Sequence, residues 1–98
     1  MIARWGLLNV MDNERRRRFE MVVDNEVAFV SYAREDERLV LVHTVVPQAL
    51  AGRGIGTALA RAVLEEMRRR GQRVVPRCEF IAAFIARHPE FADLVAEE

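Results

Sequence analysis

Cys78, His43 and His88 are the side chains best suited to nucleophilic or acid–base work in this chain. Cys78 falls where a short strand pattern, Arg73-Val74-Val75-Pro76-Arg77, gives way to a helical one, a place where unpaired backbone N–H groups favour thiolate. A lone cysteine between apolar segments is more often a small buried hydrophobe, so position alone leaves both roles open. His43 is placed by strand alternation on one face with Leu39 and Leu41, as a general base or, more commonly, as a hydrogen-bonded histidine at a sheet end. His88 precedes Pro89 and reads as an extended residue that fixes the start of the last helix.

A second chemistry lies in Ala51-Gly52-Arg53-Gly54-Ile55-Gly56, between an apolar strand and a helical pattern. Glycines there let backbone N–H groups converge on an anion, and a helix start adds unsatisfied donors and the positive end of its dipole. The spacing fits neither better-known glycine motif. A dinucleotide fingerprint needs a third glycine where Thr57 or Leu59 stands, and a P-loop needs a lysine that is absent. By itself the loop is also consistent with nothing more than close strand-to-helix packing.

The elements that must position these groups follow from hydrophobic period. Phe19, Met21 and Val23 alternate as in a half-buried strand, Asp24-Asn25-Glu26 supplies a turn, and Val27–Ala33 forms the next strand. Arg34-Glu35-Asp36-Glu37 makes a second turn before Leu39–Val45, apolar on both faces and so expected to be covered on both. A helix from about Arg53 to Arg70 presents Ile55, Leu59, Ala62, Val63 and Met67 on one face and ends at Gly71. The strand after it is expected to run parallel to Leu39–Val45, with Pro76 forcing the pair to splay. Phe80, Ile81, Phe84 and Ile85 mark a further helix, with Phe91, Leu94 and Val95 in a last turn or two. The Phe80, Phe84 and Phe91 series reads as core.

Composition narrows the function classes. The 98 residues are 51% apolar and 31% charged, ordinary globular usage for one domain, taken as 10–98 with an unassigned extension over 1–9. Fifteen acids balance fifteen bases, so no overall field recruits nucleic acid or an anionic membrane. Arg15-Arg16-Arg17-Arg18 lacks interleaved aromatics and reads as a solvated lead-in to a strand. No apolar run approaches a membrane span, and the single cysteine excludes an internal disulfide, so a cytoplasmic protein is expected.

Together these features resemble the GNAT superfamily of acetyl-CoA-dependent N-acetyltransferases, specifically its very small single-domain branch. The pyrophosphate signature of that superfamily aligns with Ala51 to Gly56, with Ala51 departing from the usual Gln or Arg. His43-Thr44 with Val46-Pro47, then Val75-Pro76-Arg77-Cys78, then His88-Pro89-Glu90-Phe91 carry the resemblance from about Val10 to Val95.

The resemblance implies an α/β fold in the α+β arrangement. A three-stranded antiparallel meander is followed by a helix, a splayed parallel strand and two C-terminal helices. It also implies acetyl-CoA bound through the backbone of Val45, Val46, Arg53, Gly54, Ile55, Gly56 and Thr57, with Cys78 near the thioester and no metal. The expected reaction moves an acetyl group to an unidentified amine, with His43 or Glu79 as base or with Cys78 acetylated first. Only a hairpin turn follows the Phe19–Val23 strand, so the acceptor side is expected to be open, suiting a protein or other bulky amine. A monomer or weak dimer is expected. A non-catalytic module that holds CoA or acyl-CoA is the alternative.

Overall fold

The computed structural model describes residues 10–96, so the 1–9 extension lies outside the described residues. The chain opens with a short edge strand, β1 (Met11–Asn13), and continues into a meander of β2 (Arg18–Val23), β3 (Glu26–Glu35) and β4 (Arg38–Val45). A 3₁₀ turn at Gln48–Leu50 leads to α1 (Ile55–Arg70), β5 (Val74–Pro76), α2 (Glu79–Arg87) and a 3₁₀ segment, Pro89–Leu94. One five-stranded sheet has the order β1-β2-β3-β4-β5, antiparallel except for the parallel pair β4–β5.

Turn chemistry explains the meander. Asp24 and Asn25 hold φ of 51° and 65° between β2 and β3, the pair of left-handed residues that a tight type I′ hairpin demands. Strands β3 and β4 run further than expected, leaving only Asp36-Glu37 between them, with Asp36 at φ 57°. Helix α1 ends as expected at Gly71, where Gln72 N–H reaches Met67 O at 2.9 Å and Gly71 N–H reaches Arg68 O at 3.1 Å, a Schellman closure.

Besides the longer β3 and β4, four features of the architecture differ from the sequence expectation. Strand β1 is additional; three residues are too few to show a period. Helix α1 begins at Ile55 rather than Arg53, because Gly54 takes a left-handed φ of 74° and serves as its N-cap. The last helix is a 3₁₀ segment, closed by Phe91 N–H to His88 O at 3.0 Å, a tighter winding suited to six residues that start on a proline.

The fourth difference concerns cover. Both helices pack on one face of the sheet, where Phe19, Val30, Leu39 and Leu41 meet Leu59, Val63, Met67, Ile81 and Phe84 in a single core. The other face was expected to be covered too. Among the described residues it has only a small cluster of Val40, Val75 and Ala96, joined by Ala33 and Val42. Ala96 N–H reaches Val74 O at 2.8 Å, and the rest of that face is open, with Val22 63% exposed.

A bulge in β4 decides which side chains reach which face. Tyr32 pairs with Leu41 and Ser31 with His43, so Val42 is an extra residue on β4. Thr44, opposite the buried Val30, therefore joins Leu39 and Leu41 on the helix face, while His43 and Val45 turn to the open face opposite Ser31 and Phe29. Simple alternation had put His43 with Leu39 and Leu41. The inserted residue reverses that.

Candidate functional site

The parallel pair β4–β5 is short, Leu39 to Leu41 against Val74 to Pro76. Proline has no N–H to continue the ladder, the chain turns with Arg77 N–H on Val75 O at 3.0 Å, and Cys78 N–H makes the last link to Leu41 O at 2.9 Å. Beyond that point β4 runs on to Val45 with no strand beside it on this edge, among the described residues. A ligand chain with amide groups can pair there as a missing strand would.

Cys78 stands at the fork, as the N-cap of α2, and is 8% exposed. Its Sγ lies 3.2 Å from Thr44 Oγ1, a contact that exists only because the bulge turns Thr44 to the helix face. His43 is exposed on the opposite face, with its N–H on Ser31 Oγ at 3.2 Å, so the structure does not bring Cys78 and His43 together as a pair. His88 is structural as expected: Nδ1 lies 2.9 Å from Phe84 O and the ring stacks on Phe84 at 4.0 Å.

The glycine loop lies just past the end of β4. Gly52 and Gly54 have φ of 79° and 74°, and a Cβ at either would meet nothing within 4 Å, so conformation rather than space requires glycine. The first helical hydrogen bond of α1 is Ala58 N–H to Gly54 O at 3.1 Å, which leaves the amides of Ile55, Gly56 and Thr57 without helical acceptors. Among the described residues no side chain caps this end and no acid lies in the first turn, while Arg68, Arg69 and Arg70 occupy the last. The dipole's positive end is therefore not neutralised by the protein, which suits an anion.

Loop and helix border a cleft of about 350 Å³ with Val46, Gly54, Ile55, Gly56 and Thr57 on its walls, five of the seven expected binding residues. The other two, expected to bind through their backbone, turn their side chains away from it. Val45 points to the open face, and the Arg53 guanidinium is held by Asp24 at 2.8 Å. Gln48, Leu50, Ala51, Gly52 and Phe80 complete the wall. Residues three apart in a 3₁₀ turn eclipse one another, so Gln48 brings an amide to the side on which Ala51 lacks one. That spacing was a usable signal. Phe80 is a correction to the core expectation: it is 43% exposed and its ring rests against Gly56.

The donors suit a diphosphate, and the free edge of β4 suits an amide-bearing arm leading from it to Cys78. Residues 18–94 match the family model described as GCN5-related N-acetyl-transferase, and the chain belongs to that family of acyl-transferring proteins. Among curated relatives it is similar to Protein NATD1 of Bos taurus, 33% identical over 85 residues that cover 84% of this chain and 75% of the relative.

No group of three or more His, Cys, Asp and Glu side chains converges among the described residues. No helix there is long and apolar enough to cross a membrane.

Proposed function

We propose that this chain transfers an acetyl group from acetyl-CoA to an amine on a bulky acceptor. The observation that carries the reading is the meeting of two half-sites in one cleft: the uncapped amides of Ile55, Gly56 and Thr57, and the unpaired edge of β4 where it leads into Val46. The thioester supplies an activated acyl group; the chain's part is to hold and orient it. Three or four hydrogen bonds to a charged group, at about 1.5–3 kcal/mol each, anchor a diphosphate without a dedicated cation.

At the other end of the arm, Cys78 and the Thr44 hydroxyl face the reacting carbon. His43 sits on the open face, from which an amine arrives, and takes the amine's proton directly or through one water as the nitrogen bonds the acetyl carbon and the C–S bond breaks, CoA leaving as a thiolate that is then protonated. Transfer is then chiefly the positioning of two reactants. The bareness of the open face favours a macromolecular acceptor over an enclosed metabolite.

Calorimetric titration with acetyl-CoA tests the binding half. Gly54→Val forces a β-branched residue into a left-handed conformation and is expected to lose measurable binding. Wild-type protein that takes up no acetyl-CoA would defeat the proposal. Intact-mass measurement after incubation with acetyl-CoA tests the route. This sequence has no lysine, so an acetyl adduct reports Cys78 or the N-terminal amine. An adduct lost in Cys78→Ala marks a covalent route; no adduct, with transfer retained in Cys78→Ala, marks direct attack. A module that only holds CoA binds it and yields no product across a panel of amines and peptides.

A further inference from the structure

Ser31 stands opposite the bulge that sorts the side chains of the site. Strands β3 and β4 pair over Phe29–Glu35 and Arg38–Val45, and their register steps between Ser31 and Tyr32, where Val42 is the extra residue. A bulge breaks the ladder locally, and a short hydroxyl beside it can take up a backbone N–H of the facing strand. Ser31 Oγ does so: it accepts His43 N–H at 3.2 Å.

That bond belongs to one register. Leu39 N–H reaches Arg73 O at 3.0 Å and Leu41 O accepts Cys78 N–H at 2.9 Å, so these odd positions of β4 turn their backbone groups toward β5. Unbroken alternation would carry His43 the same way, with its N–H aimed at the fork and out of reach of β3. Insertion of Val42 turns it back to face Ser31.

The side chains follow the backbone. In an unbroken register Val42 would face Ser31, His43 would face Val30 and Thr44 would face Phe29. Val30 is fully buried, so the imidazole would enter the helix side, where Cys78 lies, and the Thr44 hydroxyl would leave Cys78 for the open face. Val42 is on the open side in either case, beside Val40 and Val75, and expresses no preference. The choice falls to Thr44, which carries less polar surface into the core than an imidazole, and to the Ser31 hydroxyl.

We infer that Ser31 is a positioning residue for the transfer. Its hydroxyl holds β4 in the bulged register, and that register sets Thr44 on Cys78 and His43 on the open face. The inference rests on the proposed acetyl transfer for its purpose, but one arm of its test needs no acetyl-CoA.

Cys78 is the single cysteine of the chain, so alkylation by iodoacetamide reads its contact with Thr44 directly. At 8% exposure the thiol reacts through states in which that contact is open. Ser31→Thr and Ser31→Val have the same shape and differ in the hydroxyl, and both suit a strand. Ser31→Thr is expected to alkylate within about twofold of the wild type, and Ser31→Val about fivefold faster, the fold-change of one net hydrogen bond. Both rates are expected to be flat in urea below the unfolding transition, the mark of a local opening. Where valine prevents folding, Ser31→Ala is expected to show the same rise of about fivefold.

Single-turnover transfer is expected to slow about threefold in Ser31→Val and to recover in Ser31→Thr, because His43 loses the bond that fixes its backbone. Acetyl-CoA affinity is expected to stay within about twofold, since the amides of Ile55, Gly56 and Thr57 lie beyond the bulge. Equal alkylation of the threonine and valine variants overturns the inference. So does an alkylation rate that climbs with urea in step with global unfolding, or transfer by Ser31→Val at the wild-type rate. Failure of the wild type to bind acetyl-CoA overturns the proposed function instead, and alkylation then still decides the register.

Discussion

The ring of Phe80 rests on Gly56, so closely that a Cβ at position 56 would lie 3.0 Å from Phe80 Cζ. Gly56 differs in this from Gly52 and Gly54. Its backbone is not left-handed; glycine is required there by a neighbour on another helix. The contact fixes the gap between the first turns of α1 and α2, which is the cleft itself.

Gly56→Ala sets two effects against each other. Alanine favours the helix by about 1 kcal/mol, while the added methyl pushes a half-exposed aromatic ring that lines the cleft. Melting temperature is therefore expected to change little, and acetyl-CoA affinity to fall about tenfold, as for a ligand displaced by one badly placed group of about 1.4 kcal/mol. Adding Phe80→Ala should restore part of the loss. Strict additivity of the two substitutions by calorimetry would falsify a shared role at the cleft.

Thr44 Oγ1 and Cys78 Sγ, 3.2 Å apart, form the second coupled pair. Thr44→Val keeps the shape and removes the hydroxyl that orients the thiol. It is expected to leave acetyl-CoA affinity within about twofold and to slow transfer by about tenfold, near the cost of one hydrogen bond. Single-turnover rates check this, and no change in rate would mean that Thr44 serves packing only.

Much of this arrangement could be read from residues. Period-2 alternation marked Phe19, Met21 and Val23, three- and four-residue spacing marked Leu59, Val63 and Met67, and Gly71 marked the helix end, because one buried face governs each element. The fork was legible through Pro76. The bulge was not. Leu39 to Val42 are all apolar, so no polar residue reports the step at which the strand skips a partner, and the faces of His43, Thr44 and Val45 were out of reach. Phe80 keeps helical spacing with Phe84 and so looked like core; only its place in the first turn, past the end of the β4–β5 pair, sets it on the cleft.

Arg53 and Asp24 make an exposed ion pair at 2.8 Å beside the glycine loop. Such a pair contributes only about 0–1 kcal/mol to stability, but it occupies the cation nearest the anion site. Asp24→Asn frees the guanidinium and keeps the left-handed hairpin residue, since asparagine tolerates φ near 51°. Acetyl-CoA is expected to bind about two- to fivefold more tightly, with the gain shrinking as salt rises. Unchanged affinity at low ionic strength would place the diphosphate out of reach of Arg53.

Acid stability should report on α1, the helix that carries the anion-binding amides at its other end. The Arg69 guanidinium, 2.6 Å away, outweighs partial burial and, with Arg70 at 2.7 Å, holds the Glu66 carboxyl down at about 2 instead of 4.5. A lowered folded-state value means the carboxylate stabilises the fold above pH 4.5, and this contribution drains away as pH falls from there through about 2. Because Arg69 is largely exposed, solvent screening reduces the whole effect to about 1 kcal/mol. Glu66→Gln is thus expected to melt a few degrees below the wild type near neutral pH, and the two curves should converge toward pH 2, leaving the variant the less acid-sensitive. A difference in Tm that persists undiminished at the acid end would assign the role of Glu66 to packing rather than to its charge.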